Sequence, residues 1–385
     1  MFAAGALALT AACASESDSD STASGGDGGG TTLQVGILTA ETGPLAGAGK
    51  AFLSGARVAE EQINANDVIG SDVTFELEEQ ECSEDPARCA SAASQMASDQ
   101  DNLGLICCIL SPVAGAVKPQ VIQAEMPTIL YGATEVGLAE PPYVFRTTTM
   151  PHTANEQAAK TIAESGVESV AYVVMTDNAG IVSQAEAFKK GFESAGVESL
   201  GDVGILAKQT DFAGSAASVM QKNPDAIVVS ATQAEAVGMI AALHDRRYDG
   251  QILTGETIVG PGVYQSNSEA LTAVPFPVYF LASETTPEGE AFVEAYEAAN
   301  GTPPDSFAAQ GYNAVYVMAA ALEAAGENPT RESLAEALND MATLPDTIYG
   351  EVTFEDGQMF AEQSVKIVNY SAPDGEIVLW QGADS

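Results

Sequence analysis

The chain has 385 residues, too many for one small core, and a prior of about 150 residues per domain points to two or three units. Its 54 acidic against 14 basic residues give a formal net charge of -40, a surface that repels phosphate backbones and anionic headgroups, so nucleic-acid partners are excluded. With His152 and His244 as the only histidines, a Cys/His zinc site and histidine acid–base chemistry both lack their residues, and no metal or cofactor is expected.

In chain order, Ala3 to Ala12 is an apolar run shorter than the ~20 residues that cross a bilayer. That length suits the h-region of a signal peptide over residues 1–12, and the missing basic n-region before it suggests a start further upstream. The end of that run with the cysteine after it, Thr10-Ala11-Ala12-Cys13, resembles a bacterial lipobox, with Thr10 where Leu is more usual. The resemblance implies that Cys13 is lipidated and anchors the protein to the outer face of a membrane. Residues 13–32, rich in Ser, Asp and Gly, have nothing apolar to pack and read as a flexible linker of about 25 Å.

From Leu33 onward, short β-branched runs alternate with stretches of helical period, the pattern of βαβ units and a parallel sheet. The strand candidates are LQVGILTA, VTFELEEQE, LGLICCIL, PTILYGA, SVAYVVM, DAIVVSA, QILTGE and PVYFLAS. Between the first two, AFLSGARVAEEQINAN places Phe52, Leu53, Ala56, Ala59 and Ile63 on one helical face. NEQAAKTIAESG and SQAEAFKKGFESAG each stop at a capping glycine. The alternation pauses over Tyr143–Gln157 and Pro275–Gly289, where two lobes can join. Near the end, Asp356-Gly357 and Asp374-Gly375 mark tight turns between late strands that must rejoin an earlier lobe, implying a third crossing near Leu344 to Gly350.

If Cys13 carries lipid, four cysteines remain, Cys82, Cys89, Cys107 and Cys108, enough for one or two disulfides in an oxidising compartment. Cys82 can reach one of the Cys107/Cys108 pair or pair locally with Cys89, and the sequence leaves this open.

Enzyme signatures are absent: there is no G-x-x-x-x-G-K-[ST], G-x-S-x-G or H-E-x-x-H, and GILTAETGPLAGAG has the wrong spacing for a dinucleotide fingerprint. Instead ILSPVAGA, LYGATEVG, TDNAGIVSQ, SATQAEAV and GETIVG put small and hydroxyl residues at strand ends just before helices. Ligands of doubly wound sheets sit at such ends, against helix N-termini.

Taken in order, VGILTAETGPLAGAGKAFLSGARVAEEQIN, CSEDPARCASAASQM, YGATE with PPYVFRTTT, AFKKGFESAG, TDFAGSAASVMQKNPDAIVV and GYNAVYVMAAALEAAG resemble the branched-chain amino acid family of ABC-transporter substrate-binding proteins. The resemblance runs from Leu33 to Gln381. It implies the type I periplasmic-binding-protein fold: α/β, two doubly wound Rossmann-like lobes joined by three crossover strands and closing on a ligand. Lobe 1 would comprise 33–147 plus 282–345, and lobe 2 148–281 plus 346–385. Carried over by motif, Ser111, Ala133 and Thr134 would hold a ligand carboxylate, Glu256 its ammonium, and Gly180 and Thr232 would complete the ligand-binding set. For Glu256 the alternative is a solvated loop acid. Where relatives carry aromatics this chain has Ala48, Ala179 and Thr232, implying a larger or differently shaped pocket that Tyr131 or Tyr264 would partly fill. The implied function is capture of a small amino acid or amide-like solute for delivery to the permease of an ABC importer. A sensor of the same fold is the second reading, and a carboxylate-based cleft hydrolase the third.

Overall fold

The computed structural model describes residues 30–43, 45–83, 85–260, 262–361 and 364–382. The expected signal peptide, Cys13 and most of the 13–32 linker lie outside these residues. The last two linker positions, Thr31 and Thr32, already belong to the first strand.

The first lobe opens with three βα repeats and two further strands: β1 (Thr31–Thr39), α1 (Ala46–Ala65), β2 (Val73–Glu81), α2 (Pro86–Ser98), β3 (Asn102–Cys107), α3 (Ser111–Gln123), β4 (Thr128–Leu130) and β5 (Val144–Arg146). These strands pair in parallel in the order β5-β4-β3-β1-β2. Parallel strands with helices on both faces are buried, which is why β3 and β4 read as largely apolar runs.

The chain then crosses over and builds the second lobe: α4 (Pro151–Ala163), β6 (Ser169–Met175), α5 (Ala179–Ser194), β7 (Glu198–Ile205), α6 (Ala213–Met220), β8 (Ala226–Ser230), α7 (Gln233–Asp245), β9 (Gln251–Thr254), α8 (Val263–Leu271) and β10 (Phe276–Val278). Its parallel sheet has the order β7-β6-β8-β9, and the Thr254 N–H donates to the Pro275 carbonyl at 3.2 Å to bring β10 alongside. Gly166 and Gly196, just beyond α4 and α5, take left-handed φ of 94° and 80°, as the capping reading expects. Strand β7 went unrecognised in the sequence: it is an edge strand with only Ile205 buried, so it lacks an apolar run.

A second crossing returns the chain to lobe 1 for α9 (Pro287–Asn300), α10 (Ser306–Ala325) and α11 (Arg331–Asp340). Helices α1 and α10 touch backbone to backbone. A Cβ on Gly55 would lie 1.9 Å from the Ala308 carbonyl oxygen, and one on Gly311 would lie 2.0 Å from that of Phe52. Only glycine permits this approach. The expected face of α1, Phe52 to Ile63, is buried against it.

Strands β11 (Thr343–Thr347), β12 (Gly350–Glu355) and β13 (Gln358–Phe360) then extend the first sheet beyond β5, with β13 parallel to β5. This corrects the sequence expectation, which moved the chain into lobe 2 after residue 345. The third crossing falls instead between β13 and β14 (Lys366–Tyr370), which pairs with β10 and with β15 (Ile377–Leu379). A hairpin at Asp356-Gly357 keeps the chain in lobe 1 for one more strand, and that turn was recognised without its consequence.

Among the described residues no helix is long and apolar enough to cross a membrane.

Candidate ligand-binding site

The strand ends of both lobes face each other across a cleft enclosing a cavity of about 200 Å³, lined after β1, β3, β4 and β5 on one side and after β6, β8 and β9 on the other. This is below the roughly 300–1,000 Å³ of pockets for drug-sized ligands, so the cleft is sized for a small solute. Of the six positions expected to bind ligand, Ser111, Thr134, Thr232 and Glu256 lie on its wall.

Ser111 is the first residue of α3. Its Oγ accepts from the Thr134 N–H at 3.2 Å and the Glu135 N–H at 3.1 Å, leaving its own proton to donate. The loop after β4 is thereby tied to the N-terminus of α3, whose dipole favours negative charge. Ala133 departs from expectation: it is fully buried behind the wall, with its carbonyl turned to Arg146, and the wall position beside Thr134 belongs to Gly132.

Gly180, on α5 of the opposite lobe, is not on the cavity wall but faces Thr134 and Ser111 across the cleft. Next to it, Asn178 caps α5 by accepting from the Ile181 N–H at 3.2 Å. Thr232 precedes α7, and its hydroxyl is engaged by Glu235, which also accepts from the Lys208 N–H at 2.7 Å.

Glu256 opens a single 3-10 turn after β9, and among the residues lining the cavity it is the only charged one. Part of the residue reaches solvent, yet its Oε1 is buried and has no hydrogen-bond partner among the described residues. Burial pushes its carboxyl up to about 7. A Ser306 hydrogen bond opposes the shift, and the Asp305 charge adds to it. An unpartnered buried carboxylate costs stability until something cationic or hydrogen-bond-donating meets it. The solvated-acid alternative for Glu256 does not fit this burial.

Neither expected pocket-filling tyrosine reaches the cavity. Tyr131 stacks on Phe52 in the core of lobe 1, with ring centroids 3.4 Å apart, and Tyr264 packs on Tyr370 in lobe 2. Tyr279, on the second crossing, was missed by sequence reasoning and does line the cleft. Its hydroxyl donates to the Met150 carbonyl at 2.6 Å and accepts from the Ala154 N–H at 3.1 Å, joining the first two crossings. Ala48 lies on the cavity wall, and Asn155, Gln184, Gln233 and Gln310 add carboxamides. Nothing in the local sequence around these amides distinguished them from surface residues.

The cysteines resolve as Cys82–Cys89, with Cα atoms 4.9 Å apart, and Cys107–Cys108, 3.7 Å apart. Cys82 thus takes the local partner. The adjacent pair bonds to itself where β3 turns toward Ser111, with Cys108 at φ 81°. Among the described residues no cluster of His, Cys, Asp and Glu is arranged to hold a metal ion.

Two α/β lobes linked by three crossings, with a polar cleft between opposed strand ends, define a two-lobed solute-binding protein. The chain belongs to the periplasmic binding protein family, whose model matches residues 32–375, and it is a binding protein rather than an enzyme. It is 25% identical over 358 residues to a Leu/Ile/Val-binding protein of Rhizobium johnstonii, covering 90% of this chain and 93% of that one. Its fold is similar to that of a Streptococcus pneumoniae branched-chain amino acid transporter substrate-binding protein solved with isoleucine, with TM-score 0.77 and 22% identity over 91% of this chain and all of that one. It is also similar to that of an R. palustris solute-binding protein solved with 4-hydroxybenzoate, with TM-score 0.78 and 21% identity over 90% of this chain and 95% of that one.

Proposed function

We propose that this protein captures a small zwitterionic or amide-bearing solute, an amino acid or a close analogue, outside the cytoplasm and delivers it to the permease subunits of an ABC importer. A lipid on Cys13 would hold it at the membrane. The observation that carries the reading is Glu256: a cleft whose single charged lining residue is a carboxylate with one buried oxygen, Oε1, left without a partner among the described residues is built for an ammonium or N–H donor. Across the cleft, the Ser111 hydroxyl and the N-terminus of α3 offer donors for an anionic end. Binding energy gained by both lobes at once drives closure, and the closed form is what a permease would recognise.

The same fold accepts aromatic carboxylates in a relative, so the discriminating experiment is a thermal-shift screen over the twenty amino acids, urea, short amides and benzoates. An amino acid or amide at ~100 times its dissociation constant adds about 2.7 kcal/mol of stability. A response to benzoates alone would overturn the assignment, because Glu256 repels them.

A further inference from the structure

Arg146, the last residue of β5, is 3% exposed and forms no ion pair among the described residues. Its guanidinium donates to the side-chain carbonyl of Gln358 and, through Nη1, to the Ala133 carbonyl at 3.2 Å and the Glu135 carbonyl at 2.6 Å. These neutral acceptors solvate the cation but leave its charge uncompensated. Burial alone lowers its pKa to about 10, with no carboxylate opposing the shift. The charge is felt nearby: burial holds the His152 imidazole below its usual range, and Arg146 pushes it the same way.

The Ala133 carbonyl and the Thr134 N–H are the two ends of one peptide unit. A cation bonded to the oxygen of that unit draws electron density toward it and makes the N–H a stronger donor, by about 10–30% per bond in a polarised chain. In this structure the Thr134 N–H points at Ser111 Oγ, on the wall of the cleft.

We propose that Arg146 is the buried counter-charge of the ligand's carboxylate: a positioning residue behind the cleft wall that acts through the Ala133–Thr134 peptide and selects carboxylates over the matching carboxamides. The assignment rests on the reading that the anionic end of the ligand sits at Ser111 and Thr134. It places a positive charge in lobe 1 opposite the negative Glu256 of lobe 2, so a zwitterion lying across the cleft satisfies both and draws the lobes together.

Two measurements on Arg146→Gln and Arg146→Lys test it. In ¹⁵N-labelled, ligand-free protein the Thr134 amide proton should move upfield in Arg146→Gln and less so in Arg146→Lys. In binding, the amino acid giving the largest wild-type thermal shift is compared with its own α-carboxamide. Arg146→Gln should weaken the acid about tenfold and the amide less than about threefold, with Arg146→Lys recovering part of the difference. Equal weakening of both ligands means a merely structural role and overturns the proposal, as does an unchanged Thr134 resonance in folded variants. If no amino acid shifts the wild type, the reading of the cleft fails and this assignment with it, whereas a binding wild type with an unmoved Thr134 amide defeats the Arg146 assignment alone.

Discussion

Gly180 of lobe 2 lies directly against Thr134 of lobe 1: a Cβ on the glycine would come 2.8 Å from Thr134 Oγ1 and 3.4 Å from Ser111 Oγ. The two lobes therefore meet at the expected carboxylate seat, and the missing side chain sets how far they can close. Gly180→Val should hold the cleft ajar and cost about 1–3 kcal/mol of binding, the usual penalty for overpacking. Gly180→Ala should cost less, because the threonine can rotate. Small-angle scattering checks this: ligand compacts the wild type and should fail to compact the valine variant.

Glu256 carries the second prediction. Removing one partner of a buried charge pair costs about 2–5 kcal/mol, so Glu256→Ala should weaken an amino acid ligand by that amount in calorimetry. Unchanged affinity would mean that the ammonium sits elsewhere.

The same residue sets a pH dependence. Its carboxyl rises from 4.5 in the unfolded chain to about 7 in the fold, so the folded state holds its proton more tightly. Its contribution to the stability of the ligand-free protein is full below pH 4.5 and is lost as pH rises through about 7. Glu256→Gln should flatten the wild-type stability profile in that window. A cationic ligand needs the ionised form, so binding at pH 6 should release protons, read as a binding enthalpy that changes with the ionisation enthalpy of the buffer. Buffer-independent enthalpy would contradict this.

The interface of α1 and α10 yields the fourth. Gly311→Ala places a methyl group 2.0 Å from the Phe52 carbonyl oxygen, so the helices must part. The variant should lose about 1–3 kcal/mol or more of stability in urea titration without a specific loss of ligand selectivity.

Charge supplies the fifth. Fifty-four acids face 14 basic residues, and the ion pairs among the described residues engage only Arg57, Lys118, Lys160, Lys189 and Lys190. Most acids are thus unpaired and repel one another across the surface. The Debye length shrinks from about 30 Å at 0.01 M salt to about 3 Å at 1 M, so the melting temperature should climb with KCl. A flat or falling profile would show that repulsion is not a significant destabilising term.

Much of the fold was legible because its code is local. Buried parallel strands need unbroken apolar runs, and their helices need one apolar face, so β1, β6, β8 and α1 stood out as they fold. Strand β7 escaped because an exposed edge needs no apolar run. The third crossing was misplaced because nothing local to Thr343–Phe360 says which sheet its hairpin will join. At the site, Ser111, Thr134, Thr232 and Glu256, chosen by motif, lie on the cavity wall, whereas Ala133 is buried behind it and the wall position one residue earlier is Gly132's. Tyr279 and the amides were invisible, since their value lies in partners far along the chain.

By itself, the sequence determined the alternation of strands and helices, which follows from side-chain periodicity over a few residues, and the strand ends before helices, which follow from their small and hydroxyl residues. The two-lobed class rested on pauses in that alternation and on the resemblance to a family. Only the tertiary structure decided which cysteines pair, which lobe takes the β11–β13 strands, that Gly180 meets Thr134 and that Arg146 forms no ion pair among the described residues. The reason is physical: burial, approach distance and the unmet charge of a side chain are set by groups brought together from remote parts of the chain.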